Sequence, residues 1–314
     1  MRTWNMGIGI KAPKITTDEL VVDGVKWGVY PGKAWFVDSV NGVDTYNGAT
    51  WSQAFKTIAV AVAACAAGDT ILIKGSFSEA VTCSKAGVRF IGAGANPRSA
   101  SWTAPTVAGS FCLKLAAAYC HVENIYFKPV IYVSSGIPSA IRLSGANWTT
   151  IKGCRFQGQT GSYKAVYSPV CDSDNVHISG CEFFYMNTAT DGAAIFGAEA
   201  GGLSYSGWVI EDCDFNSCTT DIDINGRACI LRRNTHPIGG ITAAGAVNAA
   251  VTGVAIDLSG TSSGGNTVTG CALAGAYTST LYVGGAAGDN WAGNYAAITT
   301  TYCPHGVTLP AKPA

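Results

Sequence analysis

The sequence predicts an all-β fold: a single-stranded right-handed parallel β-helix, a solenoid, with a short N-terminal capping helix. Three observations predict it. First, a degenerate repeat runs through the chain as Val122-Glu123-Asn124-Ile125-Tyr126-Phe127, Ile151-Lys152-Gly153-Cys154-Arg155-Phe156, Ile178-Ser179-Gly180-Cys181-Glu182-Phe183 and Ile210-Glu211-Asp212-Cys213-Asp214-Phe215. Looser copies follow at Leu231-Arg232-Arg233-Asn234, Val268-Thr269-Gly270-Cys271-Ala272-Leu273 and Trp291-Ala292-Gly293-Asn294-Tyr295. Second, each copy alternates apolar and polar residues and ends on an aromatic, the pattern of a strand with one buried face. Third, helical signals nearly vanish after residue 66, while Gly, Ser, Thr and Asn clusters separate the copies. Strands that recur without helices between them bury their inner faces only by stacking coil on coil, about 4.8 Å apart.

The elements follow in order. Residues 1–34 form an N-terminal arm, with Lys11-Ala12-Pro13-Lys14 as an extended linker and Thr17 to Val25 as strand and turn. Residues 35–297 form the solenoid. Between Ser52 and Ala67, the residues Phe55, Ile58, Val62 and Cys65 make one apolar stripe of a helix that covers the open end, with Ser52 as N-cap and Gly68 as stop. Strands follow at Gly68–Ile73 and Val88–Gly92. Aligned on one position, Asn124, Cys154, Cys181, Cys213, Asn234, Cys271 and Asn294 form an internal ladder at a turn. Asn suits it because stacked amides hydrogen-bond along the axis, and Cys because it is small and readily buried. Residues 298–314 are a Pro-rich tail.

Several segments resemble the opening of pectate-lyase-like β-helix proteins. They are Trp35-Phe36-Val37-Asp38, Asn41-Gly42-Val43-Asp44, Asn47-Gly48, Phe55-Lys56-Thr57-Ile58, Ala66-Ala67-Gly68-Asp69-Thr70-Ile71 and Val88-Arg89-Phe90-Ile91-Gly92. Such openings are also common in bacteriophage tailspikes and other virion proteins. The resemblance implies the fold over residues 35–94, and the repeat extends it to about residue 297. It leaves function open, because this scaffold carries lyases, hydrolases, binding modules and structural proteins alike.

Composition narrows the field. Twenty basic and twenty acidic residues balance, which leaves no electrostatic footprint for nucleic acid or an anionic membrane. Only 13% of residues are charged, so part of the outer surface is expected to lie against neighbours. No apolar run is long enough to span a bilayer, and residues 1–20 show no secretory pattern. The twelve cysteines are expected as free thiols, because four share one repeat position and no CxxC or Cys/His spacing marks a zinc site. No cofactor and no metal are expected. Asn147-Trp148-Thr149 fits a glycosylation pattern that would need a secretory route.

Polysaccharide cleavage on such a scaffold would need two carboxyl groups about 5–10 Å apart, or a calcium site beside a base. The best constellation for an enzyme is Asp212, Asp214, Asp221, Asp223 and Arg227. Asp212 and Asp214 share a strand face, as do Asp221 and Asp223, and both pairs are read as facing outward because Cys213 and Phe215 take the inner face. A structural role is favoured over catalysis for this cluster and for His121, His177, His236 and His305. The Gly-His-Gly and paired-Asp motifs of polygalacturonases are absent from the sequence. A carbohydrate groove would draw on Tyr163, Tyr167 and Tyr185 with Asp172 and Asp174. Trp4, Trp27 and Trp35 are candidates for docking on a partner.

The expected function is a structural virion protein: a homotrimer made in a host cytoplasm, bound to the major capsid protein of a phage as a decoration or cement. The alternatives are a tailspike that grips or cuts host surface polysaccharide, and a free pectate-lyase-like enzyme.

Overall fold

The computed structural model describes residues 19–22, 25–28, 32–105, 111–128, 138–158, 164–186, 193–197, 204–216, 218, 220–238, 256–258, 265–269, 271–273, 282–283 and 295–296. It is a right-handed parallel β-helix with very little helix. Trp4, Tyr163, Asn294, His305 and the tail from residue 298 lie outside the described residues.

Each coil contributes strands to three parallel sheets in turn. In one coil, His121–Glu123 belongs to sheet I, Tyr126–Lys128 to sheet II and Ser139–Leu143 to sheet III. The next coil repeats the order with Thr150–Lys152, Arg155–Gln157 and Lys164–Ser168. Coil-to-coil register places Val122, Ile151, Ile178, Ile210 and Leu231 in one inner column. Phe127, Phe156, Phe183 and Phe215 form a second, in sheet II. All nine side chains are buried.

The phenyl column is nearly coplanar from coil to coil. Centroids lie 5.2, 4.9 and 4.8 Å apart, with interplanar angles of 8°, 4° and 6°. Trp102 continues it at 5.9 Å from Phe127. In-register parallel pairing sets this spacing, since each strand carries the same side chain at the same height.

The turn ladder exists with one correction. Register pairs Thr150 with His121 and Lys152 with Glu123, so Ile125, not Asn124, stands in the column of Cys154, Cys181 and Cys213. Asn124 instead shares its place with Gly153, Gly180, Asp212 and Arg233, all at φ between 53° and 59°. Asn tolerates this left-handed conformation better than most residues, which is what its presence there reports. Asn234 does stand in the thiol column. It is fully buried, accepts the Cys213 N–H at 3.0 Å and donates to the Ile210 carbonyl at 3.0 Å.

A second left-handed column marks the corner between sheets III and I. Gly68, Gly87, Tyr119, Trp148, Asn175, Gly207, Ala228 and Gly265 each sit two residues before a sheet I strand, with φ between 52° and 81°. Backbone hydrogen bonds tie the corner from coil to coil, as in Gly87 N to Ala118 O (3.0 Å), Tyr119 N to Asn147 O (2.8 Å) and Trp148 N to Asp174 O (2.9 Å).

The helix is shorter than its stripe predicts. It spans Ile58–Ala64, and Thr57, not Ser52, is the N-cap, its hydroxyl accepting the Val60 N–H. Phe55 is drawn into an extended bridge with Val37, which ends the helical run on that side. Carboxylates finish the start: Glu79 accepts the Ile58 and Ala59 N–H groups, and Asp44 those of Lys56 and Thr57. Lys85 Nζ caps the other end through the carbonyls of Val62 and Ala63. Ile58, Ala61 and Val62 bury against the first coils. Before the solenoid, Glu19–Val22 pairs antiparallel with Val25–Gly28.

Candidate functional site

Sheet III carries the most chemically distinctive outer face. Its inner column, Leu113, Ile141, Val166, Ile195, Ile222 and Ile256, is buried. The next residue along each strand points outward, giving the row Lys114, Arg142, Tyr167, Phe196 and Asp223 in successive coils. All five are partly exposed. Consecutive members are therefore about one strand spacing apart, ~4.8 Å.

Cation and ring interactions organise this strip. The Arg142 guanidinium lies 5.4 Å from the ring centroids of both Phe111 and Tyr167. Tyr167 and Phe196 rings are 5.8 Å apart and tilted by 38°. The Lys164 ammonium, on a residue only 1% exposed, sits 3.2 Å from the centre of the Phe196 ring. Burial lowers the pKa of Arg142 from its ordinary value. The strip thus offers aromatic faces for stacking, the Arg142 guanidinium and Lys114 ammonium as donors, and the Asp223 carboxylate at one end. Those are the groups that hold hydroxyl-rich ligands.

A local signal announces the row in the sequence. Ala140-Ile141-Arg142, Ala165-Val166-Tyr167 and Ala194-Ile195-Phe196 share small, aliphatic and outward positions, continued by Asp221-Ile222-Asp223. Of this row, sequence reasoning named Tyr167 and Asp223 and missed Lys114, Arg142 and Phe196, as it missed Lys164 beneath it.

The structure distributes the acidic constellation over different faces. Asp212 occupies the turn between sheets I and II at φ 53°, off the strand that carries Asp214, and Arg233 grips it through Nε (2.7 Å) and Nη2 (2.7 Å). That contact holds the Asp212 carboxyl below its usual range. Asp214 faces outward on sheet II and accepts the Thr235 hydroxyl at 2.6 Å. Asp223 faces outward on sheet III. Asp221 differs from the outward reading: it is fully buried, at the register of buried Ala140, Ala165 and Ala194. Arg227 belongs to a short strand, Gly226–Arg227, in the connection from sheet III to sheet I.

Tyr185 stands after sheet II, whereas Asp172 and Asp174 follow sheet III, so topology separates them. Trp35 is partly buried. Its indole N–H donates to Asp69 at 2.8 Å, and its ring stacks on Phe55 at 5.9 Å. Trp27 lies in the strand Val25–Gly28.

The outer face of sheet I holds a separate charged cluster. Glu211 accepts from Arg232 Nε at 2.5 Å, from Arg233 Nη2 at 2.8 Å, and pairs with His177 Nε2 at 2.8 Å. Arg232 above all, then His177 and Arg233, hold its carboxyl below the usual range. Three coils before Glu211, His121 pairs with Glu123 at 2.9 Å. Among the described residues no group of three or more His, Cys, Asp and Glu side chains could hold a metal ion.

Fold and outer strip together define a parallel β-helix with an aromatic and cationic face. No protein-family profile matches the sequence, and no curated protein matches it. Solved structures do share the fold. An alginate lyase from Paenibacillus sp. str. FPU-7 aligns with a TM-score of 0.53 at 15% identity, over 76% of this chain and 83% of its own. The pectate lyase Pel9A aligns with a TM-score of 0.53 at 11% identity, over 84% of this chain and 74% of its own. The GH136 lacto-N-biosidase from Eubacterium ramulus gives a TM-score of 0.53 at 13% identity, but this chain spans only 56% of it. At these identities the likeness establishes the pectate-lyase-like β-helix fold.

Proposed function

We propose that this chain is a polysaccharide-binding β-helix whose contact face is the outer strip of sheet III. The observation that carries the reading is the row Lys114, Arg142, Tyr167, Phe196 and Asp223, two cations followed by two rings and a carboxylate at the coil spacing, with buried Lys164 set against the Phe196 ring. A linear glycan lying along that axis would meet a cation or a ring at each of four successive coils. The names of the alginate and pectate lyases, both of polysaccharide-acting proteins, agree with it. Binding is favoured over cleavage, because Asp212 is ion-paired, Asp221 is buried, and Asp214 and Asp223 lie on different sheets.

Affinity electrophoresis through gels containing alginate, polygalacturonate or dextran tests this. Retardation in at least one gel is expected, weakened about tenfold or more in a Tyr167→Ala/Phe196→Ala variant, since an aromatic contact with a sugar ring contributes on the order of 1 kcal/mol. Unretarded migration of the parent protein in every gel would overturn the reading.

A second reading places the protein on a bacteriophage virion, as a trimeric decoration or cement protein bound to the major capsid protein, or as a tailspike directed at host surface polysaccharide. The outer face of sheet II favours it. There the Arg155 guanidinium lies 4.4 Å from the Phe184 ring and 5.9 Å from Tyr126, and Tyr185 is 38% exposed, a composition suited to a protein contact. The arm bearing Trp4 and Trp27, with Trp35 at the start of the solenoid, would supply the docking segment. Light scattering that gives three times the 32.3 kDa chain mass is the expected result, with hundreds of copies per purified particle for a decoration protein or a handful of trimers for a tailspike. A concentration-independent monomer, or absence from particles, would remove this reading.

A further inference from the structure

We infer that Tyr119 and Trp148 form a stacking platform for consecutive pyranose rings of a neutral glycan segment, at the corner between sheets III and I. The inference rests on the polysaccharide reading and extends it from sheet III around that corner.

Their exposure is the first ground. Tyr119 is 64% exposed and Trp148 56%, so neither side chain is used to fill the core. Their backbone is the second. Both occupy the left-handed corner column, at φ 62° and 58°, where other coils place Gly68, Gly87, Asn175, Gly207, Ala228 and Gly265. A bulky side chain in this conformation is disfavoured, and an exposed aromatic adds unfavourable hydration. Two unfavourable choices at adjacent positions of one column mark side chains kept for what they contact outside the chain.

Position is the third ground. The two residues stand on neighbouring coils, joined by the Tyr119 N–H to Asn147 carbonyl bond at 2.8 Å. Their attachment points are therefore about one coil apart, ~4.8 Å, comparable to the advance of one pyranose unit along an extended chain. They also follow Lys114 and Arg142 of the outer strip by five and six residues in the same coils, so one chain can touch both surfaces.

Local chemistry selects the sugar. Beyond Trp148 lie Asp172 and Asp174. The Asp174 carbonyl accepts the Trp148 N–H at 2.9 Å, its N–H donates to Asn147 Oδ1 at 2.6 Å, and its carboxylate accepts the Ser206 N–H at 2.8 Å. Asp172 accepts from the hydroxyls of Ser173 (3.1 Å) and Ser144 (3.5 Å). Carboxylates at the rim accept sugar hydroxyls and repel uronates, so the segment stacked here is neutral. Ring stacking needs a pyranose face of C–H groups, which a neutral hexose or N-acetylhexosamine presents.

The test uses the full chain and a Tyr119→Gly/Trp148→Gly variant. Glycine restores the residue that the corner conformation favours, so the variant is expected to fold with an unchanged or higher Tm. Affinity electrophoresis is run in dextran, galactomannan, xyloglucan and hydroxyethylcellulose, with polygalacturonate and alginate as acidic counterparts. The inference expects the parent to be retarded in at least one neutral gel and the variant's apparent affinity there to fall at least tenfold, with retardation in acidic gels preserved. Retardation of the parent in acidic gels alone, or equal retardation of parent and variant in the neutral gel, overturns the platform while leaving the sheet III reading standing. A parent retarded in no gel overturns both. A variant whose oligomeric mass drops while its glycan affinity is unchanged assigns the two rings to a second copy of the chain, and also overturns it.

Discussion

Replacing Phe183 by alanine is expected to cost about 3–5 kcal/mol of folding free energy, the range for an aromatic removed from a packed interior. Phe183 is fully buried and stacks on Phe156 on one side and Phe215 on the other, at 4.9 and 4.8 Å. Both ring pairs vanish with it, each contributing about 0.5–1.5 kcal/mol beyond simple burial. In a solenoid, stability sums terms within coils and between neighbours, so an interior coil loses on two sides. Urea unfolding of the parent and the variant checks this. A Phe183→Ala loss below ~1.5 kcal/mol would refute the column as a source of stability.

Acid sensitivity provides the second large effect. Glu211, with a side chain only 12% exposed, is clamped by Arg232, His177 and Arg233, and its folded pKa lies below the ordinary carboxylate value. A depressed folded pKa gives stability that is complete above the unfolded pKa, near 4.3, and is lost as pH falls through the folded value. The partners are 41–51% exposed and keep water when the carboxylate is removed, so Glu211→Gln should cost about 1–2 kcal/mol at pH 7. The difference between parent and variant should shrink steadily below about pH 4.3, as the parent's own carboxylate takes up a proton. A difference that stays constant from pH 7 to pH 3 would show that the cluster contributes by packing and not by charge.

Much of the architecture was legible because stacked coils impose the same demand at the same position. Val122, Ile151, Ile178 and Ile210, and the aromatic that ends each motif, land on buried inner columns. The turn ladder was misread by one residue at Asn124. Asn serves both as a buried ladder residue, as at Asn234, and as a tolerable left-handed residue, and only the strand register tells the two apart. The helix was overextended because Phe55 keeps the helical spacing while pairing with Val37 as a strand.

The candidate site was less legible than the core. The sheet III strands share no single motif residue, only an aliphatic side chain followed by a variable outward one. Variation at that outward position, Lys114 to Arg142 to Tyr167 to Phe196 to Asp223, looks like surface noise in one dimension and becomes a continuous strip when the coils stack. Alternation correctly turned Asp214 and Asp223 outward. It could not anticipate that Asp212 leaves the strand for a turn, or that Asp221 takes a buried place otherwise held by alanine.

The buried sulfurs give the molecule a built-in gauge of its own integrity. Of the eleven described cysteines, all free thiols, every one but Cys171 is buried, and they are distributed from the first coils at Cys65 and Cys83 to Cys271. Cys83, Cys154, Cys213 and Cys271 are at most 2% exposed, so reagent in solution does not reach them while the coils stay closed. An alkylating reagent can then mark a given sulfur only when its coil opens. The order in which Cys83, Cys154, Cys213 and Cys271 acquire the label, read by peptide mass, would therefore trace the direction in which the solenoid unzips.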